Sequence, residues 1–185
     1  MERMLISNCT YPGVIDVQIE EEWWNGPPHY SALSYASARR MTYSISLAYN
    51  QQHGIDTKNF ILTGIYGPGN HTDENRIHAL DGLIVRMIRA KRKGDKVFEV
   101  WGTGKPIREW CFICDVAELL VRGSLLKKEV IYPVNLGQQK GYTIRETVEM
   151  ISKATSYEGK LNFDENIEDG APIKILSNKK FRELF

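Results

Sequence analysis

An α/β fold is what this sequence predicts: part of a doubly wound parallel sheet followed by a smaller, mixed C-terminal lobe. Short apolar runs with strand character alternate with longer segments whose apolar residues recur at three- and four-residue steps, the order expected when helices cover a sheet. The clearest runs, Met4-Leu5-Ile6 and Phe60-Ile61-Leu62, read as buried strands. The composition is that of a globular chain: 185 residues, 42% hydrophobic and 25% charged, with no repeat or low-complexity segment.

Met4-Leu5-Ile6 is the last part of a strand ending at Ser7-Asn8-Cys9, and a loop runs through Glu20-Glu21-Glu22-Trp23-Trp24 to the turn Asn25-Gly26-Pro27-Pro28. A long helix is expected from Ser34 to Gln52, with Ala38, Met41, Ile45 and Ala48 as its core stripe and His53-Gly54 as its stop. Ala36, Tyr43, Leu47 and Tyr49 form a second apolar or small face, more than one core stripe needs. Asn59 to Gly64 reads as the next strand, and Tyr66-Gly67-Pro68-Gly69-Asn70 breaks the pattern.

The second half is read in the same way. Ile77 to Lys93 reads as a helix with Leu80, Leu83, Ile84, Met87 and Ile88 on one side. Strands at Phe98–Trp101 and Glu109–Ile113 flank the turn Gly102-Thr103-Gly104-Lys105-Pro106, and Asp115 to Leu126 is a helix. Tyr132 to Leu136 is a strand, and Thr143 opens another helix with Glu146 three residues later, a capping box. The tail from Lys160 reads as a short strand, an acidic loop and a final helix.

Lys+Arg 24 against Asp+Glu 23 leaves a net charge of +1, so no bulk field draws the chain to nucleic acid or membrane. No apolar run approaches the roughly 18 residues of a membrane span, and the start is too short in apolar residues for a signal peptide. Three cysteines do not make a disulfide framework, and the expectation is a reduced, cytoplasmic protein. Cys111-Phe112-Ile113-Cys114 sits in an apolar strand where positions three apart face opposite sides, so no metal site is expected. Gly102 to Pro106 mimics the end of a P-loop, but Pro106 replaces the Ser/Thr that binds Mg²⁺. No strand leads into a Gly-rich G-x-G-x-x-G turn, so the phosphate-binding turn of any dinucleotide site is not expected here.

Tyr35 and Arg39 lie one helical turn apart, and a cation beside a phenol favours the phenolate, which suits a proton donor to a carbonyl being reduced. Taken alone, the pair is a packed Tyr beside a solvated Arg. Its context differs: Ser7-Asn8-Cys9-Thr10-Tyr11-Pro12, Tyr35-Ala36-Ser37-Ala38-Arg39-Arg40, Tyr66-Gly67-Pro68, His78 and Trp101-Gly102-Thr103-Gly104-Lys105-Pro106-Ile107-Arg108-Glu109-Trp110 occur in that order. As a set these resemble the extended short-chain dehydrogenases/reductases, and within them the GDP-L-fucose synthase family. Its pattern is S-S-C-x-Y-P, Y-A-x-A-K-R, Y-G-P, a His, then W-G-[ST]-G-x-P-x-R-[EQ]-F.

That resemblance implies residues 1–76 as the C-terminal part of a Rossmann-type dinucleotide-binding domain and 77–185 as mainly a nucleotide-sugar lobe, with 130–140 returning to the sheet. It implies an enzyme using NADP(H) on GDP-4-keto-6-deoxymannose, epimerising C3 and C5 and then reducing C4. By the match, Ser7 and Tyr35 bond the C4 oxygen, Arg39 supports Tyr35, Cys9 is the base and His78 returns a proton from the other face. Leu5, Ile6, Ser7 and Asn8, with Leu62, Thr63, Gly64 and Ile65, border the cofactor, which Tyr35, Arg39 and His78 also meet. Arg86 and Arg108 match the residues that hold the diphosphate, and Trp101 and Asp169 match substrate contacts. A homodimer is implied as well.

Arg39 stands where the family has Lys, Gly64 where Asn is usual and Asn8 in place of the second Ser; the family's N-terminal part, with its fingerprint, has no counterpart. The alternatives are another nucleotide-sugar 4-epimerase or 4-reductase, whose families lack the Cys/His pair, and a non-catalytic relative acting as a binding or scaffold protein.

Overall fold

The computed structural model describes residues 2–13, 16–71, 73, 77–125 and 133–185, with the side chains of residues 2 and 3 left aside. Strand β1 (Glu2–Ser7) passes through a short 3₁₀ turn at Asn8–Thr10 into a long loop. Helix α1 (Leu33–His53) leads back to β2 (Thr57–Leu62), and after Thr63 the chain resumes as β3 (Gly64–Tyr66). Helix α2 (Ala79–Lys93), strands β4 (Val97–Trp101) and β5 (Ile107–Phe112) and helix α3 (Ile113–Ser124) follow. Next come β6 (Val134–Leu136), β7 (Gly141–Thr143), α4 (Ile144–Thr155), β8 (Lys160–Asp164), β9 (Ile173–Lys174) and α5 (Lys179–Leu184).

The α/β expectation is met by a parallel sheet in the order β1-β2-β6, with Glu2 to Ser7 opposite Thr57 to Leu62. Smaller sheets form the rest: β5 pairs in parallel with β3 and β9 and antiparallel with β7, and β4 pairs in parallel with β8. Three buried clusters hold these layers together. Ile6, Tyr11, Trp23, Tyr43, Ile61 and Leu176 pack where α1 crosses β1 and β2. Phe60, Leu62, Val116, Val134 and Leu136 fill the other face of the same sheet. Leu80, Leu83, Met87, Phe98, Val100, Val148 and Ile151 form the core of the lobe, between α2, α4 and β4.

The structure corrects the reading of α1. Ala38, Met41, Ile45 and Ala48 are exposed, whereas Ala36 and Tyr43 are buried. The sheet selects the aromatic face: the Tyr43 ring meets Trp23 edge-on at 5.0 Å, and the Ser46 hydroxyl donates to Asn59 Oδ1 at 3.2 Å. Ala36 and Tyr43 therefore leave the expected second surface, and Tyr49 stays on it. Helix α2 starts at Ala79 with His78 as its cap residue, two residues later than the periodicity suggests. Asn59 to Gly64 is not one strand, because the chain changes sheets at Thr63. The strand β9 was not expected at all. The expected ends at Leu126 and Tyr132 lie outside the described residues. Among the described residues, no helix is long and apolar enough to cross a membrane.

Candidate active site

The carboxyl ends of β1 and β2 open onto a cleft, the position at which parallel α/β sheets take their ligands. Ser7 ends β1 and caps the turn after it: the Cys9 backbone N–H donates to Ser7 Oγ at 3.2 Å, and the Thr10 hydroxyl donates to the Ser7 carbonyl at 2.7 Å. Thr10 in turn accepts from Trp23 Nε1 at 2.7 Å, anchoring the turn in the core. Asn8 is buried, while Cys9 is half-buried and faces the cleft.

Tyr35 is presented by the first turn of α1. That turn has no side-chain cap, and its fixation comes from Arg40. The Arg40 guanidinium donates to the carbonyls of Thr10, Gly26 and Trp23 at 2.8, 2.9 and 2.6 Å, binding the helix to the loop that carries Cys9. Arg39, the preceding residue, is free of that clamp and lies over the Tyr35 ring, 5.3 Å from its centroid.

The opposite wall is built around β5. The Thr63 hydroxyl donates to the Glu109 carbonyl at 2.8 Å where β2 gives way to β3. The Glu109 carboxylate accepts from the backbone N–H groups of Leu176 (2.8 Å) and Gln139 (2.7 Å), drawing the C-terminal segment onto β5. Burial pushes the Glu109 carboxyl above its ordinary range, and those backbone donors act against the shift. Gly64 lies against the Trp110 indole, where a Cβ would stand 2.6 Å from Cε3, while Trp110 Nε1 donates to Thr147 at 3.2 Å. Arg108 and Lys174 are register partners of β5 and β9. The Lys174 ammonium donates to Cys9 Sγ at 3.2 Å.

The cleft between these walls has a volume of about 390 Å³. It brings together Ser7, Cys9, Tyr35, Arg39 and His78, the five residues read as catalytic. Leu5, Ile6 and Asn8, with Leu62 to Ile65, form its strand-end side, and Arg108 joins them from β5. Burial lowers the Arg108 guanidinium, and nearby Cys9 and Asp169 oppose that shift. For Cys9, burial pushes the thiol up, but Lys174, the Ser7 hydroxyl and Arg108 together bring it below its ordinary value.

Three expected substrate residues lie outside these walls. The Arg86 guanidinium donates to the Glu99 carbonyl at 2.6 Å and covers the Trp101 ring at 5.1 Å, while Trp101 itself is largely exposed. Asp169 accepts from the Thr103 N–H and hydroxyl at 3.0 and 2.6 Å. Gly102, with φ of +83°, makes that contact possible, since a side chain there would meet the carboxylate. Cys111 is buried with its thiol pushed up to about 11, and Cys114 is exposed.

Lys174 is the cation among the cleft residues that sequence reasoning missed, the others being Ala79, Glu109, Trp110 and Ile144. Its signal was the alternation Ile173-Lys174-Ile175, too short to read as a strand.

Comparison with known proteins agrees with this architecture. GDP-L-fucose synthase of Dictyostelium discoideum is 33% identical over 182 residues, 97% of this chain and 56% of that protein. GDP-L-fucose synthase of Escherichia coli is 28% identical over 96% of this chain and 58% of its own length. The crystal structure of a GDP-L-fucose synthetase from Naegleria fowleri bound to NADP superposes with a TM-score of 0.87 at 29% identity, covering 98% of this chain and 59% of that one. The chain thus spans little more than half the length of these relatives. Residues 4–131 match the family model that describes such proteins. With α1, β2, most of β1 and most of the cleft lining inside that match, the chain belongs to the NAD dependent epimerase/dehydratase family.

Proposed function

We propose that this chain carries the substrate side and the proton-transfer residues of a GDP-L-fucose synthase, an epimerase-reductase that converts GDP-4-keto-6-deoxymannose to GDP-L-fucose with NADPH. One observation carries the reading: Ser7, Cys9, Tyr35, Arg39 and His78 line a single cleft at the carboxyl ends of β1 and β2. The strand-end side fits a nicotinamide cofactor, because the apolar Leu5 and Leu62 and the small Ser7 side chain line that part of the cleft. Leu5 to Asn8 and Leu62 to Ile65 would hold it, with Tyr35, Arg39 and His78 at its edge. When bound, NADPH supplies the hydride for C4.

The chain's own residues handle binding and protons. Cys9 removes a proton from the carbon beside the ketone, which a thiol lowered toward neutrality does well. His78 returns a proton from the other face. Tyr35 gives its proton to the C4 oxygen, held by Ser7, and the Arg39 cation lies over the Tyr35 ring. Arg108 and Arg86 take the diphosphate, Trp101 lines the sugar-nucleotide path, and Asp169 orders the turn at Thr103 beside Arg108. A homodimer formed through the exposed Met41, Ile45 and Tyr49 of α1, in the cytoplasm, belongs to the same proposal.

Solvent-deuterium incorporation tests the division of labour in the protein. Cys9→Ser leaves a hydroxyl that barely ionises at neutral pH, so exchange at C3 and C5 should fall by roughly 10²–10⁴-fold. Tyr35→Phe should keep that exchange and lose NADPH consumption by a similar factor. Normal exchange in Cys9→Ser would remove Cys9 as the base, and no exchange in the unaltered protein would leave a simple reductase or a non-catalytic relative.

A further inference from the structure

The long lobe segment after β8 returns to the sheet through β9, a strand of two residues that is anchored on both sides. The Ile107 N–H donates to the Pro172 carbonyl at 2.8 Å, the Gln18 N–H to the Ile175 carbonyl at 2.8 Å, and the Leu176 N–H to the buried Glu109 carboxylate at 2.8 Å. Lys174 therefore enters the cleft from a backbone tethered to β5 and to the loop after β1. Its ammonium donates to Cys9 Sγ at 3.2 Å, a separation at which two opposite charges attract strongly when water is partly excluded. We propose that Lys174 is a positioning residue that holds Cys9 as a thiolate, so that the base of the epimerisation is ready before substrate binds.

The assignment rests on the role proposed for Cys9 and adds a partner to it. The other groups that face the sulfur do not replace Lys174. Ser7 contributes a neutral hydroxyl that already accepts from the Cys9 backbone N–H. Arg108 is the other cation that acts on the sulfur, and Asp169 shares its charge. Glu109 turns its carboxylate toward the Leu176 and Gln139 amides. Tyr35 and Arg39 from α1 and His78 from the head of α2 line other parts of the cleft. Burial by itself would keep the thiol protonated, and the neighbouring cations overcome that tendency. In the step that follows, the carbon–hydrogen bond beside the ketone breaks, the proton joins sulfur and the electron pair remains as an enolate. Lys174 keeps its own proton throughout.

The alkylation rate of Cys9 by iodoacetamide, followed by peptide mass mapping across a pH series in a Cys114→Ser background, reads the thiolate directly. The midpoint should lie below the ordinary thiol value of about 8.5 with Lys174 present. Lys174→Met should raise it by about one to three pH units, and Lys174→Arg should keep most of the lowering. If Lys174→Met does not fold, Lys174→Gln against Lys174→Arg makes the same comparison. An unchanged midpoint in the neutral variant overturns the proposal, and so does an equal rise in the arginine variant, because charge would then not be the cause. The low-pH limb of deuterium exchange should move with the alkylation midpoint, whereas a lysine that only gripped phosphate would raise KM without moving that limb. The two proposals fail separately. If the midpoints separate but no deuterium enters any sugar nucleotide, the epimerase reading falls and the charge pairing stands; if exchange proceeds and the midpoints coincide, the reverse holds.

Discussion

Helices α1 and α2 carry equally regular apolar steps, and they use them in opposite ways. In α2 the stripe read from the sequence is the buried one: Leu80, Leu83 and Met87 sit in the lobe core, with Met87 at 0% exposure. In α1 the regular stripe faces outward, with Met41 at 60%, and the buried side is led by Tyr43 at 3%. The difference lies in the surroundings. Helix α2 has one apolar side and a basic one, so burial has a single solution. Helix α1 has two apolar sides, and the sheet takes the one whose aromatic ring fits beside Trp23 and Ile61. Periodicity therefore identifies a helix, and packing decides which face it buries.

The largest expected effect breaks that comparison if it fails. Tyr43→Ala should cost about 3–5 kcal/mol in urea denaturation, as for other buried aromatic truncations, while Tyr49→Ala six residues on should stay within about 0.5 kcal/mol. Equal costs would mean that α1 lies on the sheet by its other side. Met87→Ala should lose about 2–5 kcal/mol. Met41→Ala should leave folding stability within about 0.5 kcal/mol and instead weaken self-association in sedimentation velocity. The smallest effect concerns helix entry. Helix α4 has the capping box expected from the sequence, with the Glu146 N–H donating to Thr143 Oγ at 3.0 Å and the Thr143 N–H donating to the Glu146 carboxylate at 2.7 Å. Thr143→Ala should cost about 1 kcal/mol by thermal unfolding. No such loss is available at Ala32, where α1 begins without a side-chain cap.

The same contrast explains what was legible. Local chemistry is written in short stretches, so the capping box was legible and the ends of both long helices were read to within two residues. The cleft residues Ser7, Cys9, Tyr35 and His78 were found through a set of motifs whose order survives in the chain, and the fold then gathers them around one cavity. Long-range contacts leave no such trace. Strand β9 is two residues long and exists because β5, Gln18 and Glu109 hold it, partners that are 65 or more positions away along the sequence. Lys174 belongs to that class, as does the clamp of Arg40 on three separate loop carbonyls.

The contact between Gly64 and Trp110 has a consequence for how this cleft could change over evolutionary time. The indole occupies the volume that any side chain at position 64 would need, with a Cβ brought within 2.6 Å of the ring. The two sites are therefore not independent variables. A substitution that adds a polar group at 64 is closed off until the ring at 110 becomes smaller, and shrinking the ring first leaves a gap beside Thr147. Drift at this wall must then proceed in a fixed order through a less well packed intermediate, a ratchet set by one aromatic ring.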